Sequence, residues 1–420
     1  MTGTAIDEDL GAGGRIQGSC APGFEPVLDA FRANFAERRE VGATVCVMQD
    51  GETLVDLWGG IANPKTGKAW ERDTVSVVFS CTKGATALCA HMLADAGKFA
   101  YHDKVTTLWP EFGQGGKGDT TIEMMLTHTS PVPHLRDPIR SGGLADWDYM
   151  VERVAAEEAH WEPGTRQGYH GLTFAWTVGQ IVRLAAGEPL GEYFRRNVAE
   201  PLGLDFHIGL QEHHDHRVAA MLAADPAEVD FKSKFFQSVQ QSPGSLPQLF
   251  LTNNGGADFN SRTIRGAEIG SANGITNARG LAGMYAPLAN GGGGLVSAPT
   301  IARMRRVVAA TLDDAVLRQA ARFGLGYMAS MDNRDTGGDS VILGETAFGH
   351  VGMGGSIGFA DPMSGMSFGY SMNRMGAGIL LNERGQSLVD AAYSQTQSSI
   401  QVSHRPSAGL AVNGQTRARC

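Results

Sequence analysis

Apolar and polar positions divide the chain into three regimes. Between Phe24 and Glu40, Val27, Leu28, Phe31 and Phe35 recur against charged positions, which predicts an amphipathic helix. Ala43–Met48 and Leu54–Gly60, separated by Gln49-Asp50-Gly51, predict a β-hairpin. A further strand, Val75–Phe79, leads into a segment where Ala85, Leu88 or Cys89, Met92 and Ala96 form one apolar helical face. Gly97 followed by Lys98 is a stop for that helix.

From Tyr101 to Asp205 the pattern is mainly helical with broken connections. It contains a short helix from Thr121 to Leu126 capped by Thr120, an apolar helix from Phe174 to Ala186 ending near Gly187, and another from Tyr193 to Val198. Between Asp225 and Arg265, Gln, Ser, Asn and Gly dominate, with Phe235, Phe236 and Phe250 among them. That composition predicts long surface loops able to act as a lid. Helices return at Gly280–Ala289 and Ile301–Ala310. Short strands follow at Phe323–Met328, Ala347–Gly352, Ser356–Asp361 and Phe368–Asn373, then a closing helix, Arg384–Tyr393.

Strands flanking a helical centre predict an α+β fold: an antiparallel sheet flanked by helices and built from both chain ends, with an inserted, mainly helical lobe. On this reading residues 1–100 and 266–395 form an α/β sandwich lobe, 101–265 a helical lobe with long loops, and 396–420 a mobile tail. A site at the seam between lobes suits that layout.

Bulk properties narrow the function. The 420 residues suffice for one large composite domain or two lobes, and the formal charge of -9 argues against general affinity for nucleic acid or anionic membrane. No apolar run approaches a membrane-spanning length. The five cysteines, Cys20, Cys46, Cys81, Cys89 and Cys420, are scattered and odd in number, which fits a reducing compartment. The first residues lack a basic then apolar leader, so a cytoplasmic location is expected.

The chemistry centres on Ser80-Cys81-Thr82-Lys83. Ser80 in the first turn of a helix and Lys83 one turn on would emerge on the same side. Serine needs a base to take its proton, and a lysine serves only if its pKa is depressed. Alone, Ser-x-x-Lys is also the pattern of a helix cap plus a solvated lysine. Four more motifs follow it in order: Leu126-Thr127-His128-Thr129-Ser130, Trp161-Glu162-Pro163-Gly164 shortly before Tyr169, Ser271-Ala272-Asn273-Gly274-Ile275, and Gly349-His350-Val351-Gly352. Together they resemble the serine β-lactamase and penicillin-binding-protein superfamily, in its class C-like branch of family VIII carboxylesterases, over roughly Phe24 to Tyr393.

The resemblance implies a β-lactamase/transpeptidase-like fold with Ser80 as nucleophile and Lys83 and Tyr169 handling its proton. The tyrosine would need a pKa well below ~10, which a lysine cation could supply. The resemblance also implies an oxyanion hole from the backbone N–H groups of Ser80 and Met353, with His350 and Gly352 lining the substrate. Two departures stand out. Tyr169-His170-Gly171 replaces the usual Tyr-x-Asn, and His350, only partly charged near neutral pH, stands where β-lactamases carry a lysine. Both remove contacts to a lactam and favour short-chain esters, with Phe235, Phe236 and Phe250 as a roof or merely as anchors of their loop.

The expected activity is therefore a serine carboxylesterase acting on a small-molecule ester without a cofactor. Amide or β-lactam hydrolysis, acyl transfer, and a penicillin-recognising protein that does not turn over remain open alternatives. Gly354-Gly355-Ser356-Ile357-Gly358 matches the Gly-x-Ser-x-Gly elbow, yet a strand and not a helix is predicted after Ser356, and His404 sits in the polar tail. His213-His214-Asp215-His216 lacks metal-site spacing, and no metal is expected.

Overall fold

The computed structural model describes residues 3–403. An 11-stranded antiparallel sheet runs through it, and its two halves come from opposite ends of the chain. The join lies between Gly42–Gln49 and Met366–Met372, paired in register from Ala43 opposite Met372 to Gln49 opposite Met366. Outward from Gly42–Gln49 come Glu52–Asn63, Arg15–Cys20 and Thr4–Asp9. On the other side come Ile357–Asp361, Phe348–Val351, Met328–Ala329, Ala321–Phe323 and Ala309–Thr311. The expected α+β architecture is the observed one.

Strand alternation decides which helix covers which face. Val45, Val47, Phe368 and Tyr370 share a core with Phe31 of the Glu25–Glu37 helix and Leu388 of the Glu383–Ser403 helix. Cys46 points the other way, onto Ala278 and Ala282 of the Ala278–Ala289 helix. Gly369 lets that helix lie close, since a Cβ there would sit 2.2 Å from the Ala278 carbonyl oxygen.

The helical insert packs onto the Thr82–Asp95 helix, which meets Phe174–Ala186 in a second large core. Every residue from Cys81 to His91 is buried, so this helix has no solvent face for its first ten residues. The single apolar stripe expected there is too narrow: Met92 is half-buried and Ala96 exposed, while polar Thr82, Lys83, Thr86 and His91 are inside. A three-stranded sheet of Ser76–Val77, Ile275–Thr276 and Phe206–His207 ties the start of this helix to the segment that returns from the insert.

Several boundaries differ from expectation for identifiable reasons. The Gly-rich opening forms a hairpin of Thr4–Asp9 and Arg15–Cys20 that extends the sheet edge. Thr121, not Thr120, caps Ile122–Leu126. Phe323–Met328 is broken by a turn at Gly326 (φ 83°) into two short strands. The 225–265 segment is largely helical, with Lys234–Gln241, Leu246–Thr252 and Arg262–Gly266 capped by the side chains of Ser233, Ser245 and Ser261. The closing helix continues past Tyr393 to Ser403, into the stretch expected to be a tail; the rest of that stretch, with His404 and Cys420, lies outside the described residues.

A buried ion pair fastens the two chain ends under the sheet. Arg384 Nη1 lies 2.7 Å from Glu40 Oε1, with both side chains almost wholly enclosed, and Tyr370 donates its hydroxyl to Glu40 Oε2. Removing one partner strands the other charge in low dielectric. Arg384→Leu is expected to cost about 3–5 kcal/mol in denaturant unfolding, and Arg384→Leu with Glu40→Gln to recover most of it. Equal losses in the single and double variants would show that the charge pairing is immaterial.

Candidate active site

Ser80 lies two residues before the Thr82–Asp95 helix, not in its first turn. Phe79 precedes it at φ 43°, a left-handed conformation that costs a non-glycine residue of order 1–2 kcal/mol and is held by the surrounding structure. Thr82 holds the bend: its Oγ1 donates to the Phe79 carbonyl and accepts the Gly274 N–H at 2.7 Å. The turn lifts Ser80 to a half-exposed position while everything after it is buried.

Lys83 is fully buried, with Nζ 3.0 Å from Ser80 Oγ, 2.8 Å from the Gly171 carbonyl oxygen and 2.9 Å from that of Ser271. Burial drives its pKa well below that of an ordinary lysine. A neutral amine has two N–H donors and one lone pair. The two carbonyls take the donors, which turns the lone pair toward the Ser80 hydroxyl. The geometry therefore suits a base poised to accept the serine proton.

Tyr169 is buried, with its ring centre 4.8 Å from Lys83 Nζ and its phenol close enough to the Ser80 hydroxyl for the two to interact electrostatically. Its pKa is raised by burial, more than Ser80 lowers it. The lowered tyrosine pKa expected from a neighbouring lysine cation is thus corrected: burial moves it upward. Desolvation acts on both groups in the direction of neutrality and so favours the amine and the phenol.

Three histidines surround the pair, two of them unassigned by the sequence reading. His350 is buried, not partly charged as expected: burial, then Lys83, bring its pKa down to about 3. Its Nδ1 donates to the Val351 carbonyl at 2.7 Å, leaving Nε2 as a buried acceptor without a partner among the described residues. His128 sits at φ 61°; its Nδ1 accepts the His170 N–H at 3.1 Å, and its carbonyl accepts the Gly168 N–H at 3.0 Å. His170, lowered to about 3 by burial, bridges the Gly168 carbonyl and Ser130 Oγ. The His170 ring lies 5.3 Å from that of His128, which packs 4.9 Å from the Tyr169 ring. These histidines are neutral packing and hydrogen-bonding groups.

The turn after Phe348–Val351 presses against the segment before Ser80. A Cβ on Gly352 would lie 2.2 Å from the Val78 carbonyl oxygen, so glycine here serves the chain's own close approach. Ser356 Oγ donates to that same carbonyl at 3.1 Å and is fully buried at the start of a strand, the surroundings of a structural serine. Among the described residues, the N–H groups of Ser80 and Met353 donate no hydrogen bond. They are available to an oxyanion.

Phe250 packs in the notch that Gly171 leaves. A Cβ on Gly171 would be 2.1 Å from Phe250 Cε2, and the Phe250 ring lies 6.2 Å from that of Tyr169. Phe235 is buried behind it, while Phe236 is half-buried and further out, against Phe231. The His213–His216 run is a short surface helical turn in which Asp215 pairs with Arg262 and Arg265, and no group of three or more metal-ligand residues exists among the described residues.

A buried lysine joined to a serine and a tyrosine at this junction marks a serine hydrolase of the β-lactamase and penicillin-binding-protein class. The Beta-lactamase family profile matches residues 28–392, and the chain belongs to that family. It is 33% identical over 383 residues to "Esterase/beta-lactamase LipL" of Mycobacterium tuberculosis (strain ATCC 25618 / H37Rv), covering 89% of this chain and 86% of the relative. A solved family VIII carboxylesterase matches with TM-score 0.79 and 36% identity over 90% of this chain and 99% of its own. A penicillin-binding-protein homologue from Caulobacter crescentus matches with TM-score 0.80 and 32% identity over the same shares.

The protonation pattern sets a pH dependence. With an unprotonated Lys83 as the base, kcat/KM would climb as pH rises through its depressed pKa. It should then stay level past about pH 9, because Tyr169 keeps its proton there. Lys83→Arg, which cannot lose its charge, should be inactive throughout. A fall in rate well before pH 9 would show that a required proton, that of Tyr169, is lost there.

Proposed function

We propose that this protein is a serine carboxylesterase that cleaves short-chain esters through an acyl-enzyme. The observation that carries the reading is the buried Lys83 Nζ, within hydrogen-bonding distance of two carbonyls and of Ser80 Oγ, an arrangement in which a neutral amine gives both N–H groups to the carbonyls and its lone pair to the serine. Ser80 Oγ attacks the ester carbonyl and Lys83 takes the proton. The oxyanion settles on the N–H groups of Ser80 and Met353. The alkoxide leaves with a proton delivered from Lys83 by way of Tyr169, and water then releases the acid by the same route in reverse. The working site lies at the seam between the lobes we draw at 1–100 with 266–395 and at 101–265.

Ester preference follows from what the site lacks. His350 is neutral and Gly171 has no amide, so neither the carboxylate nor the amide of a lactam finds the contacts a β-lactamase offers. Phe250, backed by Phe235, narrows the space beside Lys83 and favours small apolar acyl groups. LipL's name joins esterase to β-lactamase, which makes lactam hydrolysis the comparison to run. No helix among the described residues is long and apolar enough to cross a membrane. The four described cysteines are unpaired and buried, which supports a reducing compartment, and we place the protein in the cytoplasm.

The test is a chain-length series of p-nitrophenyl esters beside nitrocefin. Esters of about C2 to C6 are expected to be hydrolysed far faster than the lactam. Comparable specificity constants would restore the lactamase reading, and a single stoichiometric burst would indicate a binding protein. Ser80→Ala should abolish turnover while Ser356→Ala keeps at least a tenth of it; the reverse would move the nucleophile to Ser356.

Gly171→Asn probes the notch directly. Its Cβ would collide with Phe250, so butyrate turnover should drop about tenfold, and adding Phe250→Ala should recover much of the loss by making room. An unimpaired Gly171→Asn would show that the ring moves aside freely.

A further inference from the structure

The loop joining Ala309–Thr311 to Ala321–Phe323 is exposed at Leu312 and Asp313 but sends Asp314 fully into the protein. Asp314 Oδ1 accepts three N–H groups: Val316 at 2.8 Å, Leu317 at 2.9 Å and Tyr169 at 3.0 Å. The first two close a local turn, as an Asp or Asn does in many loops. The third crosses to the residue that carries the phenol. Beside it, the Ala315 N–H donates to the Gln167 carbonyl at 3.0 Å, so the loop grips this backbone at two points.

His128 holds the N–H groups of Gly168 and His170, and Gly171 N–H turns back onto the Tyr169 carbonyl. That leaves the N–H of Tyr169 itself, which Asp314 takes. Burial raises the Asp314 carboxyl to about 6, so it is mainly ionised at neutral pH and can only accept. Its Oδ2 is buried without a partner among the described residues, a cost that closing a surface turn does not require.

We infer that Asp314 is a positioning residue for Tyr169: from the sheet side it fixes the backbone that keeps the phenol on Ser80. This rests on the role given to Tyr169 under the proposed function. A shift of the tyrosine by a fraction of an ångström would draw its phenol away from Ser80 and Lys83 and slow proton transfer without changing how an ester binds.

The experiment is a double-mutant cycle on p-nitrophenyl butyrate hydrolysis. Asp314→Asn and Asp314→Ala are each made alone and in a Tyr169→Phe background, with p-nitrophenolate release followed at high enzyme concentration so that slow variants are read. Asp314→Asn, which keeps the accepting oxygen, should hold kcat within about threefold. Asp314→Ala should lose about tenfold or more in kcat with KM within about twofold, but less than about twofold further in the Tyr169→Phe background. Should Asp314→Ala not fold, Asp314→Ser replaces it, since its hydroxyl can close the local turn but is too short to hold Tyr169.

Equal losses in both backgrounds, or full kcat in Asp314→Ala, would overturn the inference while leaving the esterase reading intact. A fully active Tyr169→Phe would remove the tyrosine's role, and the Asp314 assignment with it.

Discussion

An amine without water is the constraint on which this structure depends. Lys83 can serve as a base at neutral pH only if its surroundings make the ammonium expensive, and each pKa unit of depression corresponds to about 1.4 kcal/mol. The fold supplies this by placing the first turns of the Thr82–Asp95 helix where nothing is exposed. The neighbouring groups are consistent with that purpose. Tyr169 and the histidines 128, 170 and 350 are all held in their neutral forms by burial. A carboxylate in contact with Nζ would undo the effect by stabilising the ammonium. The buried carboxylate nearby, Asp314, instead faces the Tyr169 backbone and two N–H groups of its own loop.

The same constraint explains why the chain ends build the sheet and the middle is inserted. The two carbonyls that receive the Lys83 N–H groups come from Gly171, within the insert, and Ser271, where the chain leaves it. The turn bearing Met353 belongs to the returning strands. The base therefore acquires its environment only when segments about a hundred and about two hundred residues downstream have closed over it, which is a long-range arrangement and a slow one to assemble.

Much of this was legible in the sequence. Short motifs in a fixed order pointed to Ser80, Lys83 and Tyr169, and alternating strands at both ends gave the sheet. What local pattern cannot carry is burial. His350 reads as a partly charged strand residue until the structure encloses it, and Tyr169 reads as a tyrosine of lowered pKa until desolvation is seen to act on both partners. Asp314 and the paired roles of His128 left no periodic signal, because each depends on a contact to residue 168, 169 or 170. The helices within 225–265 were readable in principle. Ser245-Leu246-Pro247 is an N-cap followed by an early proline, a helix-start signal that the surrounding polar composition obscured.

Neutrality also decides which substrates the site can hold. Protonating His350 at neutral pH, to give a carboxylate the cation it lacks, would cost roughly 5 kcal/mol for a group brought down to about 3. That is more than one charge-assisted hydrogen bond returns. A substrate carrying its own carboxylate therefore enters at a loss, whereas an uncharged ester leaves the amine, the phenol and the imidazoles as they rest. The same desolvation that would suit Lys83 to act as a base thus works against charge in a substrate.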